Sequence, residues 1–471
     1  MAVKSSELGL RAKLKHHCGV VGLSSLKEIN LPQRLFYPLF ALQHRGQESC
    51  GLTYSRKGQL ITYKDLGLVS QVLSHYLREE HPSQIGIGHV RYSTQGANKL
   101  ENAQPFAIAC QKGNIAFAHN GNISNSSCIR KMLFRQGAIF QSTSDSELIL
   151  HLIAHSSKNT FEESLLEAVA QLEGAYAGLF IHNEKLYALR DPLGFRPLVM
   201  GKTPELTAFA SETCALEMLG INQAEEVLPG ELIVVDKGEV RRQSFCQSTL
   251  KSQCIFELIY FARPDSTVFG VPVHLVRKKM GAALAAVDPY RADLVIPVPD
   301  SGNSAALGYA LASGLPFEFG LTRNHYSGRT FIQPSQDMRE FGVRLKLHPI
   351  KRVIAGKRIV IIDDSMVRGT TSRILIKMLK QAGAREVHLR LASPELKYPC
   401  FFGIDIPIRE ELISNRMTPS QIADYIGADS VFFLPLDSLK ACVENPSDFC
   451  YACFNGAYPC PVSNENMRRK D

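Results

Sequence analysis

The chain has 471 residues, which at roughly 100 to 200 residues per domain points to two or three domains. Its 45% hydrophobic and 21% charged residues exclude a disordered or collagen-like protein. No run approaches the roughly eighteen apolar residues of a spanning helix, and the 53 basic against 45 acidic side chains are spread along the chain, so neither a membrane span nor a nucleic-acid-binding stripe is expected.

From the N-terminus, residues 1–17 carry Lys4, Arg11, Lys13 and Lys15 against one acid, Glu7. Such a leader suits an organelle transit peptide, although the cysteine at position 18, directly after it, offers another reading. Residues 17–236 show short β-runs at 85–89, 115–118, 178–181 and 231–235, with helical patterns at 144–155 and 161–172. They predict a mixed α/β domain. A polar connector at 237–252 leads to apolar runs at 294–298, 317–322, 358–362 and 387–392 that alternate with helical patterns. Near-continuous apolar strands between helices predict a parallel sheet covered on both faces. The expected divisions are a leader at 1–17, domains at 18–250 and 251–430, and a tail at 431–471. Twelve cysteines are too sparse for a disulfide scaffold, and no secretory segment precedes them, so reduced thiols in a cytoplasmic setting are expected.

Within the second domain lies Arg358-Ile-Val-Ile-Ile-Asp-Asp-Ser-Met-Val-Arg-Gly-Thr-Thr-Ser372. A buried strand ends in two carboxylates, and a hydroxyl-rich loop with Gly369 opens a helix striped by Ile374, Leu375, Met378 and Leu379. That order aims backbone N–H groups and the positive helix end at an anion, while Asp363 and Asp364 can accept ribose hydroxyls. A capped helix after an acidic turn is the bland alternative. The whole pattern resembles the diphosphoribosyl-binding motif of type I phosphoribosyltransferases. The resemblance implies phosphoribosyl pyrophosphate held by Asp363, Asp364, Ser365, Met366, Val367, Arg368, Gly369, Thr370 and Thr371. Leu294-Val-Ile-Pro-Val-Pro-Asp-Ser-Gly302 resembles the pyrophosphate loop, which implies a Mg²⁺ shared by Ser301, Asp363 and Asp364. The polar stretch 323–333, with Gly328, is expected to be a lid whose Arg329 reaches a phosphate.

In the first domain His17-Cys18-Gly19-Val20-Val21-Gly22 is joined by Gln43-His-Arg-Gly-Gln-Glu48, Gly88-His-Val-Arg-Tyr-Ser-Thr94, His119-Asn-Gly-Asn122 and Ser144-Asp-Ser-Glu147. Together they resemble the glutamine amidotransferases that use an amino-terminal cysteine, which implies an αββα N-terminal-nucleophile sandwich. Cys18 is then the nucleophile, and its own α-amino group, with an ordinary pKa near 8, the base once residues 1–17 are removed. Asn120 and Gly121 are implied as the oxyanion hole, Arg91 as the partner of the substrate carboxylate and Asp145 of its ammonium. Arg45 is implied in glutamine binding or pocket support, with a purely structural cation equally open.

The union of the two domains resembles the glutamine phosphoribosylpyrophosphate amidotransferase family. It implies transfer of glutamine nitrogen to phosphoribosyl pyrophosphate as the first committed step of purine synthesis, a homotetramer, and feedback inhibition by purine nucleotides. Cys450-Tyr-Ala-Cys453 alone leaves zinc, a redox pair or nothing open. Resemblance to the leader-bearing branch implies that Cys254, Cys400, Cys450 and Cys453 bind a [4Fe–4S] cluster, with zinc the rival. Cys50, Cys110, Cys128, Cys214, Cys246, Cys442 and Cys460 are read as packing or surface thiols. Two alternatives are a free-base phosphoribosyltransferase with a degenerate first domain and a non-catalytic regulator that senses a phosphoribosyl ligand.

Overall fold

Alternating apolar residues in the first half build two antiparallel sheets. The computed structural model describes residues 18–92, 98–246, 250–288, 290–324, 345–406 and 408–462. One sheet runs Ala224–Glu226, Val199–Lys202, Leu206–Ala210, Gly19–Asn30, Pro82–Arg91, Ser49–Arg56, Gln59–Leu66. The other runs Glu239–Ser244, Glu231–Asp236, Lys185–Arg190, Gly174–His182, Gly113–Ile123, Phe106–Cys110. Val20, Ile87 and Phe209 of the first share a buried core with Ala118, Leu179 and Ile233 of the second, as face-to-face packing requires. Helices Leu31–Ala41 and Thr213–Glu217 cover the outer face of the first sheet. Ser126–Arg135, Ser146–His155 and Phe161–Val169 cover that of the second. The last of these starts at a reciprocal cap: Thr160 Oγ1 accepts from Glu163 N–H, and Glu163 accepts from Thr160 N–H, both at 3.2 Å. The result is an αββα sandwich.

The second half holds a parallel sheet ordered Leu294–Pro297, Arg358–Asp363, Glu386–Leu391, Ser430–Phe433. Side chains alternate along its second strand. Val360 and Ile362 face Val276, Met280 and Tyr309 on helices Val273–Val287 and Asn303–Ser313. Ile359 and Ile361 face Leu375, Leu379 and Ile422 on Thr370–Gln381 and Pro419–Ile426. Where the first two helices cross, a Cβ on Gly281 would lie 1.8 Å from the Ala305 carbonyl oxygen, and one on Gly308 1.9 Å from that of Lys278. The backbones meet directly, which leaves no room for another side chain.

The structure redraws some sequence expectations. Glu239–Ser244, inside the expected connector, is a strand paired with Glu231–Asp236. As a mostly exposed edge it carries charge on both faces and lacks the alternation that betrays a half-buried strand. Of 317–322, only Leu321–Arg323 is strand, paired with Leu347–Pro349, while Phe317 makes a lone bridge to Val295. Ser430–Phe433 straddles the boundary expected at 430, and Leu439 beyond it joins the core of the second half. Ile374 of the expected stripe is only half-buried; Ile376 is buried in its stead. No helix among the described residues is long and apolar enough to cross a membrane.

Candidate active site

Strand pairing brings the first constellation together. Gly19 pairs with Val90, so Cys18 and Arg91 lie side by side at one end of the sheet. Cys18 is buried, and its thiol donates to the Tyr92 carbonyl at 3.6 Å. Burial pushes the thiol above its ordinary value, Arg91 pulls it down, and Asp145 and Glu48 add to the rise. Three charged groups therefore act on this sulfur.

The facing sheet supplies the rest. Asn120, on Gly113–Ile123, is fully buried, yet neither its side-chain nitrogen nor its oxygen has a hydrogen-bond partner among the described residues. An amide so placed costs free energy unless something binds it. At Gly121 the strands approach so closely that a Cβ would lie 1.9 Å from the Ala175 carbonyl oxygen. Asp145 accepts from Ile123 N–H at 2.9 Å, which ties it to the strand that carries Asn120.

Behind these groups lies a polar knot to which the sequence assigns no role. His119 Nδ1 pairs with Ser146 Oγ at 2.9 Å; Gln104 accepts from His119 N–H at 2.8 Å and donates to Ser146 Oγ at 3.0 Å. His89 Nε2 lies 3.1 Å from the His119 carbonyl oxygen. Burial drives His89 down to about 3, so its ring is neutral and donates there.

Arg45 faces away from open space. Its Nε donates to the Cys18 carbonyl at 3.1 Å, Nη1 to Glu212 at 2.5 Å and Glu257 at 3.0 Å, and Nη2 to Glu257 at 2.8 Å. All three side chains are fully buried. The guanidinium thus braces the backbone of Cys18. Glu257 was legible as the one charge inside Ile255-Phe-Glu-Leu-Ile259, a run where a carboxylate must be paired.

In the second half, Val298 N–H bonds the Ile362 carbonyl at 2.8 Å, and a Cβ on Gly302 would sit 2.5 Å from that oxygen. The loop carrying Ser301 therefore lies beside Asp363 and Asp364, beyond the ends of adjacent parallel strands, where such sheets bind ligands. Both acids are buried; Asp364 N–H donates to Asp363 Oδ1 at 3.0 Å, and Ser365 Oγ to Asp364 Oδ2 at 2.6 Å. Met366 and Val367 are buried in the flanking cores and offer the loop only backbone. Gly369 takes φ +70° just before Thr370 opens the helix, and Thr371 is half-buried in its first turn. Arg368 pairs with Glu411 at 2.8 Å, and Ile413 N–H bonds the Val367 carbonyl at 2.9 Å, so residues 409–415 strap the loop. Arg329, the other lid residues from 325 on, Ser93, Thr94 and the leader lie outside the described residues.

Cys254, Cys400, Cys450 and Cys453 line one cavity with Phe195, Arg196 and Tyr458. Gln253–Cys254 and Phe449–Cys450 pair as parallel strands, and the Cys453 carbonyl accepts from Lys397 and Tyr398 N–H at 3.0 and 3.1 Å. Among the described residues no three His, Cys, Asp or Glu side chains are grouped to hold a metal ion. None of the twelve cysteines is joined in a disulfide.

A family model described as a glutamine amidotransferase domain matches residues 89–218. Over 461 residues the chain is 48% identical to amidophosphoribosyltransferase 1, chloroplastic, of Arabidopsis thaliana, covering 97% of this chain and 81% of that one. Against the amidophosphoribosyltransferase of Bacillus subtilis (strain 168) it is 41% identical over 460 residues, 96% of each chain. The solved structure of the B. subtilis glutamine phosphoribosylpyrophosphate amidotransferase complexed with ADP and GMP superimposes with a TM-score of 0.89 at 41% identity, covering 95% of this chain and 98% of that one.

Proposed function

The chain belongs to the amidophosphoribosyltransferase family, and on that premise we propose how its residues divide the work. The enzyme converts glutamine, water and phosphoribosyl pyrophosphate to 5-phosphoribosylamine, glutamate and pyrophosphate, the first committed step of purine nucleotide synthesis. In the first half the Cys18 thiol gives its proton to its own α-amino group, freed by removal of residues 1–17, and attacks the glutamine amide. Asn120 Nδ2 and the Gly121 N–H receive the oxyanion, Arg91 the substrate carboxylate and Asp145 its ammonium. Ammonia leaves, and water hydrolyses the thioester to glutamate. The observation that carries this assignment is the Asn120 amide, buried without a partner on the sheet that faces Cys18.

In the second half ammonia attacks C1 of phosphoribosyl pyrophosphate and pyrophosphate departs, with catalysis mainly by positioning. The 363–371 loop holds the 5-phosphate and ribose, and Arg329 is assigned to a phosphate. Two buried carboxylates beside a serine loop suit Mg²⁺, so Asp363, Asp364 and Ser301 would hold it, and it would supply positive charge against the pyrophosphate.

We assign the four-thiol cavity to a [4Fe–4S] cluster, with zinc the rival, on the support that the four thiols line one cavity. Cys254, Cys400, Cys450 and Cys453 would ligate the cluster, whose role is to cross-link the tail to both halves. Purine nucleotides as feedback inhibitors are supported by the ADP and GMP named for the B. subtilis structure, and a homotetramer completes the proposal. For location we propose the cytoplasm; removal of 1–17 to expose Cys18 accounts for the basic leader, and plastid import, as the name of the plant relative suggests, is the second reading.

Purified, iron-replete protein beginning at Cys18 is expected to release pyrophosphate from phosphoribosyl pyrophosphate only with glutamine or ammonia. Cys18→Ala is expected to lose the glutamine-driven reaction and keep the ammonia-driven one. Undiminished use of glutamine by Cys18→Ala would sink the assignment. Iron analysis decides the cavity: about four irons per chain support the cluster, and stoichiometric zinc without iron in active enzyme overturns it.

A further inference from the structure

The groups that touch the substrates account for neither the most deeply buried charges nor the π-helical turn Glu257–Phe261 just beyond Cys254. Such turns are rare and concentrate at functional sites. At its start Glu257, fully buried, accepts two of the four Arg45 bonds and a third from Arg196 Nη1 at 3.1 Å. Arg196 Nε also donates to the Phe402 carbonyl at 3.2 Å, two residues past Cys400. Arg277 holds the rest of the turn by donating to the Leu258 and Ala262 carbonyls, both at 2.8 Å. Arg45 in turn grips the Cys18 carbonyl.

We propose that Glu257 is a positioning residue for the glutaminase reaction: through Arg45 it fixes the Cys18 carbonyl, and with it the direction in which the α-amino group and thiol of Cys18 together face Asn120. The carbonyl carbon, the α-amino group and Cβ leave the same Cα, so rotation about the Cα–C bond of Cys18 swings the base and the sulfur together away from Asn120. Arg45 can prevent that only while its guanidinium is itself held, and Glu257 holds it through both terminal nitrogens where Glu212 takes only one. A shift of the turn, or of the Cys400 segment through Arg196, therefore reaches the nucleophile without touching glutamine.

The inference rests on Cys18 as nucleophile with its α-amino group as base. Its test is the mature full-length enzyme carrying Glu257→Gln, with Arg45→Lys in parallel; the second keeps the charge but loses the Nε–H that grips the Cys18 carbonyl. In both, the ratio of glutamine-driven to ammonia-driven turnover is expected to fall at least tenfold. The loss should lie in kcat, with KM for glutamine within about threefold of wild type, because Glu257 does not touch the substrate. A wild-type ratio in either variant overturns the proposal, as does an equal loss of both activities, the mark of a merely structural role. Failure of the underlying reading is separate: it shows as glutamine use by Cys18→Ala.

Discussion

Replacing Asn120 by Ala removes a donor from a site whose backbone is otherwise unchanged. Glutamine-driven kcat is expected to fall about 10² to 10³-fold, the cost of one oxyanion donor, while ammonia-driven synthesis persists; steady-state kinetics with each nitrogen source checks this. The thiol gives a second expectation. Burial holds the Cys18 pKa above its ordinary value, so little thiolate forms at neutral pH unless a base assists. In protein that retains residues 1–17, alkylation of Cys18 by iodoacetamide should be slow at pH 7 and rise as pH rises toward the elevated pKa. Rates followed by peptide mass spectrometry test the sign, and a pH-independent rate would contradict it. Cys18, Asn120, Gly121 and Asp145 could be singled out as candidates because each sits in a short motif of fixed chemistry. Glu212, Arg196 and the His119–Ser146–Gln104 knot were not, since what selects them is a partner 27 to 167 residues away.

At the scale of elements, Val273–Val287 and Asn303–Ser313 cross with backbone against backbone. Gly281→Ala or Gly308→Ala must push the helices apart or bend one of them, and overpacking typically costs about 1–3 kcal/mol. Each variant is expected to lower the melting temperature of the second half. Ammonia-driven activity should fall with it, because the Ser301 loop enters Asn303–Ser313 directly; calorimetry beside that assay checks both. The glycines themselves could be read from the sequence, but not that they face one another, because a helix pattern fixes which side is apolar and not where a neighbour crosses. The same limit hid Glu239–Ser244, whose pairing lies in its backbone and not in any apolar pattern.

For the whole molecule, a split at the expected boundary makes a prediction. A fragment of residues 18–250 keeps Arg45 and Arg196 but loses Glu257 and the Phe402 carbonyl, leaving two buried cations short of their acceptors. Removing one partner of a buried pair costs roughly 3–5 kcal/mol, a large fraction of a domain's stability. The fragment is expected to be insoluble or molten; soluble yield, near-UV circular dichroism and glutaminase assay measure it. A folded fragment that hydrolyses glutamine at the intact rate would show that the halves are independent. Two domains and their order were evident from the change in strand style along the chain. That their junction is a charged and thiol-lined seam was not, because its parts are scattered from Arg45 to Cys453.

The pairing of Cys254 with Cys450 also imposes a schedule. The two lie 196 residues apart, counting 450 minus 254, so at about 5 to 20 residues per second the ribosome delivers the second strand roughly 10 to 40 s after the first. Throughout that interval Cys254, and for its later part Cys400, is present with no completed cavity around it. The seam is therefore the last piece of the monomer to close, and a nascent chain stalled before Phe449 offers unshielded sulfur to any oxidant or stray metal it meets.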